Sequence, residues 1–205
     1  MPSQLNLPGF DPEAARPVKP LVRPQGIHSF KHKLFFAIFP APEDARRILQ
    51  RAESLRQQHR FTEELIEAER LHITLQVLGD YVEQIPVQHI EAALQAAARI
   101  RTPSFALELD HALSFQGSGA FVFSDKKRES PFATFRRNLV QELTRQGFPP
   151  HPGGTPHMTL LYSHHHLIAE AAIRPLHFHV KDFALIHSHT GKHWHEELGR
   201  WNLSV

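Results

Sequence analysis

Leu71-His72-Ile73-Thr74-Leu75-Gln76-Val77-Leu78 and Pro156-His157-Met158-Thr159-Leu160-Leu161-Tyr162 share one kernel, His-apolar-Thr-Leu. The alternation in each reads as a β-strand, on which residues two apart share a face. His72 and Thr74 therefore point one way while Ile73 and Leu75 point the other, and His157 and Thr159 separate from Met158 and Leu160 in the same manner. Each strand can bury an apolar side and present an imidazole and a hydroxyl on its open side. Composition alone gives about 0.1 expected occurrences of His-apolar-Thr-apolar, so two in similar surroundings are read as an internal repeat.

The surroundings support the repeat. Before the first kernel, Lys33–Phe39 is a short apolar run ended by Pro40, read as a buried strand. Pro42 to His59 fits a helix, with Pro42 in the first turn, acidic Glu43 and Asp44 near it, and a stripe of Ala45, Ile48, Leu49, Ala52 and Leu55. After the kernel, a second helix spans about Val87–Arg99. In the other half, Phe105–Leu109 and Ala120–Phe123 read as strands. Ser130-Pro131 is an N-cap with proline behind it, opening a helix with the stripe Phe132, Phe135, Leu139 and Leu143 that Gly147 ends. The second kernel follows, then strands near Leu176–Val180, Phe183–His187 and Trp201–Val205. This order predicts an α+β fold: two pseudo-symmetric lobes with largely antiparallel sheets, flanked by helices and facing one central cleft.

Residues 1–29 carry six of the 16 prolines and read as an N-terminal extension; residues 30–205 form the two-lobed domain. A 41% hydrophobic fraction is enough for a core. The absence of cysteine excludes a disulfide scaffold, thiolate zinc fingers and cysteine catalysis. No apolar run approaches the roughly 20 residues of a membrane span, and the first residues lack a signal-peptide pattern. The expectation is a cytoplasmic monomer with no membrane contact. A net charge of +2 is no nucleic-acid footprint by itself, although Lys126-Lys127-Arg128 is a local basic run.

If the open faces of the two kernel strands meet across the cleft, His72 and His157 flank one ligand with Thr74 and Thr159 beside them. Phosphodiester chemistry needs a base for the nucleophile and an acid for the leaving oxygen, and two histidines supply both near neutral pH without a metal. The hydroxyls suit the charge that develops on the non-bridging oxygens.

These kernels, with Leu78-Gly79-Asp80, the opening Leu34-Phe35-Phe36-Ala37-Ile38 strand and the segment from Leu185-Ile186-His187-Ser188 to Trp201, resemble the two-histidine phosphoesterase superfamily. The branch is similar to the bacterial 2′-5′ RNA ligases, also described as RNA 2′,3′-cyclic phosphodiesterases. The resemblance covers about residues 33–205. It implies a bilobal α+β fold, catalysis without cofactor or metal, and an RNA end or nucleotide with a 2′,3′-cyclic phosphate or 2′-5′ linkage as substrate. It further implies His157 as base and His72 as acid. Relatives often carry an arginine a few residues after the second histidine. Here Tyr162 stands in that stretch, on the Leu160 side of the strand unless a bulge intervenes.

Phe36, Tyr162 and His187 are the expected substrate-binding residues, with Phe115 and Phe121 as further candidates for stacking on a base. Of the 17 histidines, His177/His179, His187/His189 and His193/His195 are i, i+2 pairs able to share a strand face, and His164-His165-His166 is a run. No carboxylate motif accompanies them, so no metal site is assigned. Two other functions fit the pattern: a non-catalytic nucleotide- or RNA-binding module with the same cleft, and a metal-binding protein using the His-x-His pairs.

Overall fold

A computed structural model describes residues 30–127, 129–150, 155–192 and 194–204. The N-terminal extension, Arg128, His193 and Val205 lie outside the described residues.

The elements run β1 (His32–Ile38), α1 (Pro42–Gln58), a single 3-10 turn (Ala68–Arg70), β2 (Ile73–Tyr81), α2 (Val87–Ala97), β3 (Phe105–Ser114), β4 (Ala120–Ser124), α3 (Pro131–Arg145), β5 (His157–Tyr162), β6 (Ala171–Val180), β7 (Asp182–His189) and β8 (Trp194–Asn202). The fold is α+β. The eight strands form one sheet in the order β6-β3-β4-β5-β2-β1-β7-β8, and every neighbouring pair is antiparallel. Four strands lie on each side of the β5–β2 junction, where the register is a single pair, Ile73 with Met158. The two lobes read from the sequence are thus not separate sheets.

The helix ends follow the expected chemistry. Pro42 begins α1 with Glu43 and Asp44 in its first turn. Ser130 Oγ accepts from Ala133 N–H at 3.2 Å to cap α3. The apolar stripes of all three helices join one core with Leu34, Phe36, Ile38, Ile73, Leu75, Phe121, Met158 and Leu185. On the opposite face of the sheet, Phe35, Ala37, Ala184 and Ile186 form a small cluster with Val77 and Phe39 beside it. That open face carries the kernels. None of the helices among the described residues is long and apolar enough to cross a membrane.

The last strand departs from expectation. It is Trp194–Asn202, not Trp201–Val205, because a polar stretch, His195-Glu196-Glu197, pairs with β7 at the sheet edge. Edge strands tolerate such charge, so hydrophobic alternation does not reveal them.

Each kernel is followed by the same irregularity. Phe36 pairs with Gln76 but Ala37 pairs with Thr74, leaving Leu75 extra; Phe121 pairs with Leu161 but Val122 pairs with Thr159, leaving Leu160 extra. Both are β-bulges, and each resets the alternation by one residue. Each bulged residue's carbonyl then accepts from outside its strand pair: Leu75 O from Arg136 Nε of α3 at 2.7 Å, Leu160 O from Ile66 N–H at 2.7 Å. The turn ahead of β4 holds the end of β5 in a related way. Ser163 N–H donates to Gly119 O at 2.8 Å, and Gly119 has φ +70°, where a Cβ would meet Ser163 O at 2.5 Å.

Arg136→Met keeps the apolar stem but strands the Leu75 carbonyl. Urea unfolding is expected to show a loss of about 1–3 kcal/mol. Arg137→Met, one residue along α3, is expected to change stability by less than about 0.5 kcal/mol.

Candidate active site

His72 immediately precedes β2 and His157 opens β5. With Ile73 paired to Met158, antiparallel geometry sets His72 across from Thr159 and His157 across from Thr74. The same local bond fixes each ring. His72 Nδ1 lies 2.7 Å from Arg70 O, and His157 Nδ1 lies 2.9 Å from Thr155 O. A carbonyl only accepts, so each Nδ1 carries the proton and donates. Each Nε2 is left for the chemistry, as a base when bare and an acid when protonated.

Both kernels open into a cleft of about 840 Å³ lined by His72, Thr74, His157, Thr159 and Tyr162. Tyr162 reaches it because the Leu160 bulge turns the strand over, burying Leu161 and leaving Tyr162 54% exposed. Its counterpart in the other half is Val77, two residues beyond the other bulge and lining the same cleft.

Two expected substrate contacts are corrected. Phe36 is fully buried on the helix side, its ring 5.9 Å from Phe183 and 6.0 Å from Trp201. Strand alternation gives the cleft to Phe35 instead, 5.3 Å from the His72 ring. His187 pairs with Leu34 and shares that residue's face, away from the cleft, while its neighbour Ser188 lines the cleft. Of the other aromatic candidates, Phe121 is buried and stacked on Phe61 at 4.9 Å, whereas Phe115 stands edge-on to His157 at 4.8 Å.

Further cleft residues have no signal in the kernels. His195, opposite Ser188 on β8, lies edge-on to His72 at 5.6 Å and to Phe35 at 5.8 Å. Arg70 and Lys33 also line the cleft, Lys33 in an ion pair with Asp80 at 3.4 Å. Arg70 sits two residues before the first histidine, whereas the arginine of relatives follows the second. The Lys126-Lys127 run is tied back by ion pairs, Lys126 with Glu170 and Lys127 with Glu108 at 2.9 Å.

Burial is the largest influence on His72 and lowers its pKa; the positive charge of His157, Arg70 and Lys33 acts the same way, and the bond to Arg70 O opposes it. His195 is pushed down to about 4, by burial first and then by His72 and Arg70. Neutral imidazoles beside Arg70 suit a bound anion. Among the described residues, one group has ligand atoms close enough to share a metal, His32, His187 and His189, and it includes neither kernel histidine.

A family model for the 2′-5′ RNA ligase superfamily matches residues 23–192. Among solved structures, a phosphoesterase is 26% identical with a TM-score of 0.67, over 85% of this chain and 99% of its own. E. coli LigT complexed with 3′-AMP is 26% identical with a TM-score of 0.65, over 85% of this chain and 99% of its own. A Thermus thermophilus protein shares the fold at 20% identity and a TM-score of 0.65, over 83% of this chain and 97% of its own. Comparison with the curated proteins gives no match.

The depressed histidines have a consequence for stability. The folded-state pKa of His195 lies below its unfolded value of 6.5, so the unfolded chain takes up the proton first. Its contribution is complete above about pH 6.5 and is lost as pH falls toward 4. Imidazole NMR titration is expected to place the His195 midpoint near 4 and that of His72 below 6.5. His195→Phe should flatten the fall in stability across that window.

Proposed function

Because the chain belongs to the 2′-5′ RNA ligase superfamily, we propose that its cleft hydrolyses a 2′,3′-cyclic phosphate, or reversibly forms a 2′-5′ linkage, at an RNA end or nucleotide, without a metal. The observation that carries the reading is the matched pair of imidazoles. His72 and His157 come from the two central strands, each locked through Nδ1 to a carbonyl two residues back, each offering Nε2 to one cleft.

In the proposed reaction, His157 Nε2 takes a proton from water as the oxygen attacks phosphorus. The bond from phosphorus to the 3′ oxygen breaks, and His72 gives that oxygen its proton, leaving a 2′-phosphate. Thr74 and Thr159 donate to the non-bridging oxygens. Arg70 supplies the positive charge that an arginine after the second histidine would bring, while Lys33 shares its charge with Asp80. Phe35 and Tyr162 offer apolar surface for the nucleoside. Burial keeps His72 neutral in the free protein, and the anionic phosphate restores its charge on binding. The catalytic unit is residues 30–205, with residues 1–29 an extension. E. coli LigT has been crystallised with ATP and with 3′-AMP, which supports a nucleotide in this cleft.

The test is turnover of a 2′,3′-cyclic nucleotide with and without EDTA. Activity is expected to survive chelation; loss of turnover, restored by zinc or manganese, in the wild type and equally in His189→Gln, which breaks the histidine group outside the kernels, would point to metal catalysis instead. His72→Ala and His157→Ala are each expected to lower kcat about 10²-fold or more, with product affinity changed less. Thr74→Ala and Thr159→Ala should cost less than either. Tyr162→Phe with an unchanged rate would remove the tyrosine hydroxyl from the mechanism. A wild-type protein that binds the nucleotide but never turns it over would favour the non-catalytic binding module. The rate should rise and fall with pH, and the limb set by His72 should lie higher in kcat than in kcat/KM, because bound phosphate stabilises its protonated form.

A further inference from the structure

Three more imidazoles converge on the helix-side face of the sheet. His32 on β1 pairs directly with His189 on β7, and His187 shares the face of His189. Ring centroids are 4.0 Å apart for His187–His189, 5.0 Å for His32–His187 and 5.3 Å for His32–His189. One nitrogen from each lies within 4.8 Å of the others, and His32 Nδ1 is 2.9 Å from His187 Nε2. Glu196 on β8, paired with His187, sets Oε2 3.2 Å from His187 Nδ1 and 3.5 Å from His189 Nε2. Trp194 stacks on His189 at 4.2 Å.

Packing alone accounts poorly for this group. Two of the rings share one hydrogen bond, and the buried His189 Nε2 makes none, its nearest carboxylate oxygen being that of Glu196 at 3.5 Å. A tetrahedral ion with bonds of about 2.0–2.1 Å holds its ligand atoms about 3.4 Å apart. The nitrogens here span that separation, so small side-chain rotations would seat an ion. The carboxylate is also in the right place: His187 can donate Nδ1–H to Glu196 and turn Nε2 to the metal, the pairing that commonly orients a metal-bound imidazole.

We propose that His32, His187 and His189 bind a divalent transition metal, zinc foremost, with Glu196 orienting His187. Three imidazoles with no thiolate and one open position suit zinc, cobalt or nickel and not calcium or magnesium. Burial lowers the pKa of His32, helped by His189, Lys192 and Lys31; burial lowers that of His187 too, helped by His189 and His32 and opposed by Glu196. Both rings are therefore neutral, the ligating form, at neutral pH. His187 faces away from the cleft, although His189 also touches its rim. The ion would tie β1, β7 and β8 together, the three strands that carry Phe35, Ser188 and His195 to the cleft. This role is structural and separate from the proposed acid–base chemistry.

The test is titration of the dialysed full chain with Co²⁺, followed by displacement with Zn²⁺. One equivalent is expected to give the visible absorption of low-coordinate cobalt, bleached by zinc. His189→Gln should abolish the signal, and Glu196→Gln should weaken binding about 10–100-fold. Zinc should raise the thermal midpoint of the wild type and not of His189→Gln, with circular dichroism confirming that the metal-free variant is folded. The combined His164→Gln, His165→Gln, His166→Gln variant, which alters the exposed run, should keep the full signal. The proposal is overturned if the wild type gives no cobalt spectrum, if His189→Gln retains it, or if the triple variant loses it.

Discussion

Ile73 opposite Met158 is the contact on which the site depends. It is the one register pair joining the two halves of the sheet, and both side chains are fully buried in the common core. A slip of one residue there would turn either kernel over, moving an imidazole and a hydroxyl from the cleft into the helix side. The cost of burying them unpaired opposes such a slip. The core thus fixes the placement of the polar groups, although it contains none of them.

The bulges extend this control along each strand. A regular strand would put Tyr162 with Leu160, and Val77 with Leu75, against the helices. One extra residue at the end of each kernel, Leu75 or Leu160, turns them to the open face and frees a carbonyl, which Arg136 or Ile66 then satisfies. The donors differ, a guanidinium in one half and a backbone amide in the other, yet both meet the same equivalent atom. The repeat is therefore kept in backbone geometry at positions where the side chains have diverged.

That divergence explains what the sequence reveals. The kernels are legible because strand alternation is local, and the helices because their caps and stripes are local. Phe36 and His187 depart from expectation for a related reason. Each sits one residue from a true cleft residue, Phe35 or Ser188, and the phase of a fully apolar strand such as Leu34–Phe39 does not say which face is open. His195 depends on the pairing of an edge strand, Arg70 on a 3-10 turn, and the His32–His187–His189 group on the β1–β7 register. His195 and the joining of His32 to the His187/His189 pair are long-range facts, and Arg70, though only two residues from His72, carries no pattern that points it to the cleft.

The bonds from Nδ1 of His72 and His157 to the backbone leave each ring one exchangeable nitrogen. Under the proposed roles, a hydrolysis that begins with His157 bare and His72 protonated ends with the charges exchanged. That finishing state is the starting state for ring closure. The cleft would carry a memory of its last turnover, erased only when a proton passes between the two Nε2 atoms or out to solvent. Water exchange in the emptied cleft, and not the chemical step alone, would then set how soon the same direction can run again.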